Sequence, residues 1–171
     1  MKKLFIAGML LLAGHIVSAQ KYVFIDSEYI LKNIPAYEAA NEQLSQLSKD
    51  WQTEVEELYK EVSMLYEAYQ TESVFLSNEM KKKREDEIVD KEKKAKELQK
   101  KYFGPKGELF KKRESLIKPI QDEIYNAITE LAAEKNYAAV FDKSSGLGVM
   151  YSDPKYDISD MVLELLGVKT E

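Results

Sequence analysis

Residues 36–70, AYEAANEQLSQLSKDWQTEVEELYKEVSMLYEAYQ, contain neither Gly nor Pro and are rich in Glu, Gln, Leu and Ala. Such side chains lose little freedom in a helix, so the stretch predicts one continuous helix of about 50 Å at 1.5 Å per residue. Apolar residues recur at Leu44, Leu47, Trp51, Val55, Leu58, Val62, Leu65 and Tyr69, in steps of three and four. Leu47 to Leu58, Trp51 to Val62 and Leu58 to Tyr69 are each eleven residues apart, whereas a strict heptad would put Glu54 and Glu61 in the seam. The pattern is a mixed heptad and eleven-residue stripe, which predicts a nearly straight or weakly supercoiled helix pair.

The partner helix follows in the chain. Residues 71–76 break the order, and Ser77 is placed to cap a second helix with Glu79 in its first turn. Met80 to Tyr102 is densely charged, with a sparse apolar stripe at Ile88, Ala95, Leu98 and Tyr102. Gly104-Pro105-Lys106-Gly107 must interrupt it, because relative to Ala a helical Gly costs about 1 kcal/mol and Pro about 3. Helical spacing resumes through Leu109, Leu116, Ile120, Ile124 and Leu131, with a kink expected at Pro119. Residues 35–72 hold nine acids and two lysines, a net −7; residues 81–118 hold fifteen basic and eight acidic residues, a net +7. A reversal near residue 74 would lay these segments side by side, with residue 105 opposite residue 43. Opposite charge across the seam would fix register more than it would add stability. The expectation is an antiparallel coiled-coil hairpin arm over 36–116, with Gly104, Pro105 and Gly107 as a hinge near its root.

The flanking segments read differently. Tyr22–Asp26 is a short buried strand, Ser27 opens a short helix through Asn33, and Pro35 separates it from the long helix. Beyond Asn136 come a strand over Tyr137–Phe141, a turn through Gly146 and a partner strand over Leu147–Tyr151. Asp157 then caps a last helix from Ile158 to Leu166, ended by Gly167. These pieces form a body from 20–35 and 117–171, a single domain with the arm inserted. A body of this size buries little apolar surface against a backbone entropy cost of about 1–2 kcal/mol per residue, so it is expected to share its core between subunits. The predicted fold class is α+β and mostly helical, a small β-strand body with a long helical arm.

Composition removes most chemistry. Lys2 and Lys3, the apolar run Leu4–Leu12 and the small residues Val17-Ser18-Ala19 read as a signal peptide over 1–19, so the mature chain is expected in the periplasm. The chain has no Cys, and its one His, His15, lies in that signal. Cys nucleophiles, Ser-His-Asp triads and the usual zinc sites are therefore excluded. No catalytic residue, cofactor or metal is expected. Asp153, Asp157 and Asp160 lack the Gly and closing Glu of a calcium loop, and helix capping explains Asp157 and Asp160 better. Without Lys2 and Lys3 the balance is 23 basic to 30 acidic residues, which argues against nucleic acid as a partner.

The order of signal, strand, charged hairpin, strand, strand and capped helix resembles the OmpH/Skp family of periplasmic chaperones. The C-terminal stretches Tyr137–Asp142, Gly148–Tyr151 and Asp157–Val162 carry the likeness most clearly. The resemblance implies a homotrimer with a central β-barrel and projecting arms. It also implies ATP-independent holding of unfolded outer-membrane proteins. The chain departs from the best-known members in being acidic and in carrying the Gly104–Gly107 break, and no lipopolysaccharide-binding residue is carried over. The competing reading is a coiled-coil spacer or tether in the cell envelope.

On the outer half of the arm, Tyr59, Met64, Tyr66, Tyr69, Phe75 and Met80 are the candidate client contacts, because aromatic rings and flexible thioethers grip varied apolar segments weakly. Seam packing competes as a reading, most strongly for Tyr69. Lys81, Lys82, Lys83 and Arg84 form the densest basic run. Such a run is ordinarily a solvated face; its alternative roles are electrostatic capture of acidic clients and weak contact with anionic lipid headgroups.

Overall fold

The computed structural model describes residues 21–146 and 148–169, so the expected signal lies outside the described residues. The elements run β1 (Lys21–Ile25), α1 (Ser27–Lys32), α2 (Pro35–Glu72), α3 (Asn78–Phe103), α4 (Glu108–Lys135), β2 (Tyr137–Asp142) and α5 (Ser159–Leu165). Pro35 opens α2 at its first position, where a missing N–H costs nothing. The helix then runs for 38 residues, about 57 Å. A 3-10 turn over Ser73–Phe75 follows, and Ser77 Oγ accepts from the Met80 N–H at 3.3 Å with Glu79 in the first turn of α3.

Along α2 and α3, contacts link Glu54 to Tyr102, Tyr59 to Gln99, Glu61 to Lys91, Tyr69 to Glu85 and Glu72 to Arg84. Numbers rise on one helix as they fall on the other. The two acids that a strict heptad would strand in the seam thus have partners: Glu54 accepts from the Tyr102 hydroxyl at 2.7 Å, and Glu61 pairs with Lys91. Between them Val55 and Ala95 are buried. The register differs from the sequence expectation. Trp51 stacks on Tyr102 with ring centroids 4.7 Å apart and planes 5° from parallel, so the Gly104 break lies more than a turn beyond residue 43. The cause is at the reversal: residues 73–75 still coil, and the chain first extends at Leu76 and Ser77.

At the other end β1 pairs with β2 in parallel, Val23 opposite Val140 and Ile25 opposite Asp142. Asn136, at φ 55°, ends α4 in the left-handed conformation and swings the chain into β2. Val23, Ile30, Ile120, Ile124, Leu131 and Leu163 are among the residues of one buried cluster. α1 and α5 are far too short to persist alone, so it is this cluster that keeps them helical.

Three expectations need correction. Gly148–Tyr151 form no strand: Gly146 and Gly148 both take φ +72°, and Met150 and Tyr151 are 98% and 79% exposed. Asp26, not Ser27, caps α1, accepting from the Tyr29 N–H at 3.0 Å, because the Ser27 hydroxyl is committed to Asp142 at 2.7 Å. The last helix begins one residue late, at Ser159, although Asp157 does accept from the Ser159 N–H at 2.9 Å.

Asp142 also accepts from the Ser27 N–H and from both the N–H and hydroxyl of Ser144, tying the end of β2 to α1. Burial alone would raise its pKa, but these hydrogen bonds outweigh burial and hold it below 3.8. Asp157 is similar: burial raises its pKa, while Lys143 at 2.6 Å and Ser159 lower it further than burial lifts it. A carboxylate whose pKa is depressed by folding adds stability above its unfolded pKa and loses it as pH falls through the folded value. The melting temperature should therefore hold steady down to about pH 4 and drop below it, and Asp142→Asn with Asp157→Asn should flatten that acid limb. Thermal melts across the range decide; a double variant with an acid limb as steep as the parent's would show that other groups set it.

Candidate functional site

The described residues leave large apolar side chains exposed where the α2–α3 pair reverses. Val74 and Phe75, in the 3-10 turn, are 76% and 87% exposed, and Met80, in the first turn of α3, is 53% exposed. They protrude because a short turn between two long helices has no third element to cover it. Met64 and Tyr66 stand exposed on the last turns of α2. Tyr59 and Tyr69 are half-buried and reach across to α3, the first donating to Gln99 Oε1 at 3.1 Å and the second to Glu85. The hydrogen bond to Glu85, with burial next, raises the Tyr69 pKa above 10.0 and keeps its hydroxyl protonated as a donor. The six candidate contacts thus divide into four that face solvent and two tied into the helix pair. Val74 was missed, though an apolar pair inside a run without helical period is itself a signal.

The basic run divides as well. Lys82 and Lys83 are exposed and make no ion pair among the described residues. Lys81 is half-buried, and Arg84 is shared between Glu72 at 3.5 Å and Glu87 at 3.6 Å. Two lysines remain beside Met80 as unpaired positive charge, enough for attraction at low salt.

The Gly104–Gly107 break is a closed turn. The Gly104 N–H donates to Lys100 O at 2.9 Å, the Gly107 N–H to Gly104 O at 2.8 Å, and Gly107 O accepts from Lys111 at 3.1 Å. Neither glycine needs a positive φ; crowding explains both. A Cβ at Gly104 would lie 2.4 Å from Lys100 O, and one at Gly107 would lie 2.6 Å from Tyr102 O. Pro105 sits between them, where no N–H is required.

No described helix is long and apolar enough to cross a membrane. The described residues also hold no group of three or more His, Cys, Asp or Glu placed to bind a metal. What the arrangement offers is a long charged helix pair with a small exposed apolar tip, suited to weak contacts with large, irregular partners.

The comparisons agree with this geometry. No curated protein matches the sequence. A crystal structure from Caulobacter crescentus, described as a candidate outer membrane chaperone (OmpH-like), superposes with a TM-score of 0.70 at 12% identity. The match covers 89% of this chain and 86% of that one, which shows a shared fold. The model of the family "Outer membrane protein (OmpH-like)" matches residues 21–166, from the first described strand through the last helix, and the chain belongs to that family.

Proposed function

We propose that this protein is an ATP-independent periplasmic holdase that keeps unfolded outer-membrane proteins from aggregating, held between the arms of a homotrimer. The observation that carries the reading is the exposed apolar tip, Val74, Phe75 and Met80, at the far end of a densely charged helix pair. Family membership and the chaperone description of the Caulobacter protein support the same role. In this reading the α2–α3 pair with the start of α4 is an antiparallel coiled-coil arm, and the two chain ends form the body. An isolated two-stranded sheet is only marginally stable in water. The uncovered Met150 and Tyr151, with the half-exposed Phe141, therefore fit a strand and a face completed by neighbouring subunits.

The test dilutes a urea-unfolded outer-membrane β-barrel protein into buffer, with or without the mature chain and without nucleotide. Light scattering from the client should be suppressed once about three chains are present per client. The chaperone itself should elute at three times its chain mass. Unchanged client aggregation would sink the holdase reading, and a stable monomer would sink the shared cavity.

A further inference from the structure

Two hollows flank the Gly104–Gly107 turn and share Gly104 and Pro105 as a common wall. The smaller, about 290 Å³, is lined by Tyr102, Phe103, Leu109, Phe110 and Arg113. Phe103 and Phe110 are 38% and 45% exposed, although each sits on a helix with a buried face available. The larger, about 620 Å³, is bordered by Lys100, Lys101, Lys106 and Lys111, with Glu97 and Glu108 as its acids. Lys111 pairs with Glu108 at 3.0 Å, and Lys101 lies 5.3 Å from the centre of the Tyr102 ring. Lys100, Lys106 and Arg113 make no ion pair among the described residues.

Helix electrostatics explains only part of this charge. Lys100 and Lys101 occupy the last turn of α3, where cations are favoured. Lys106 precedes α4 and Lys111 and Arg113 lie in its first two turns, the end of a helix that disfavours cations. Lys111 is offset by its pair with Glu108 on the same helix, which leaves Lys106 and Arg113 without an explanation in helix electrostatics.

The geometry points to a partner: an extended, acidic polypeptide segment bearing an aromatic or large aliphatic side chain. That side chain would enter the cleft between Phe103 and Phe110, and its neighbouring carboxylates would face Lys106, Lys100 and Arg113. The cleft lies at the lower end of the roughly 300–1,000 Å³ typical of ligand pockets, which suits one bulky side chain better than a whole ligand. The inference rests on the holdase reading and gives the same client a second grip, set back from the apolar tip.

Fluorescence anisotropy on the mature full-length chain tests it with two short unstructured peptides. Both carry the same Phe and Leu residues, one spaced by Asp and Glu and the other by Lys. The acidic peptide should bind and the basic one should not. Phe103→Ser with Phe110→Ser should weaken the acidic peptide about tenfold. Lys106→Gln with Arg113→Gln should weaken it similarly and remove most of its salt dependence. Thermal melts accompany each variant; should the Phe pair melt early, the exposed charge pair decides. Equal binding of the two peptides overturns the proposal, as does full affinity in the charge variant. Vesicles of phosphatidylglycerol that compete through the same residues, with no peptide bound in their absence, also overturn it. Suppression of client aggregation is scored separately: its failure in the parent protein would strike the holdase reading, while the peptide data would still decide the cleft.

Discussion

Changing Val74, Phe75 and Met80 together to Ser should raise the off-rate of an unfolded outer-membrane client about a hundredfold, while the protein's own melting temperature barely moves. Each of these side chains is more than half exposed, so none contributes much to folding. Each contributes about 1 kcal/mol when an apolar client segment covers it, and three such losses amount to about two powers of ten in affinity. The loss falls on dissociation because short-range apolar contact forms only after encounter. Lys82→Gln with Lys83→Gln should act on the other rate, slowing capture at low salt and converging on the parent as salt rises. Stopped-flow mixing with a fluorescent unfolded barrel protein at two ionic strengths reads both. Tyr59 belongs in neither set, since its bond to Gln99 makes it part of the helix pair. A triple variant that releases clients at the parent rate would leave the tip without a role.

The largest loss of stability should come from Leu163→Ala, about 3 kcal/mol. Leu163 is wholly buried with Ile30 and Val162, on a seven-residue helix that has no stability of its own. Truncating it opens a cavity among α1, α4 and α5 that their short lengths cannot close. Val55→Ala in the helix pair should cost less, about 1 kcal/mol, because the long helices can shift around a smaller void. Urea unfolding followed by circular dichroism compares the two at one protein concentration. Equal midpoints for Leu163→Ala and the parent would mean that the cluster around Ile30 is not the limiting core.

The helices were legible in the sequence because their signals are local. Missing Gly and Pro marked α2, Ser77 with Glu79 marked the start of α3, and two glycines with a proline marked the break after Phe103. The register across the helix pair was less so. It depends on whether residues 73–75 coil or extend, and Ser, Val and Phe tolerate both. The strand expected over Leu147–Tyr151 shows another limit. A short apolar run announces a surface that wants a partner, but a sequence does not say whether the partner lies in the same chain. At the candidate site, Phe75 and Met80 were legible as apolar residues beside a turn. The cleft at Phe103 and Phe110 was not, because the two rings come to line one hollow only through the geometry of the Gly104–Gly107 turn.

The parallel pairing of β1 with β2 joins residues 21–25 to residues 137–142, with the whole helical excursion between them. A chain that emerges N-terminus first must therefore carry β1 as an unpaired edge until almost all of the sequence has followed. Closing so long a loop directly is slow, because its entropy must be lost before any strand contact repays it. The α2–α3 pair shortens that search: its contacts are nearer in sequence, and once zipped it brings the two strands within reach of each other. The helix pair is then the template on which the sheet is assembled, and a variant with a weakened seam should refold slowly even where its final structure is unchanged.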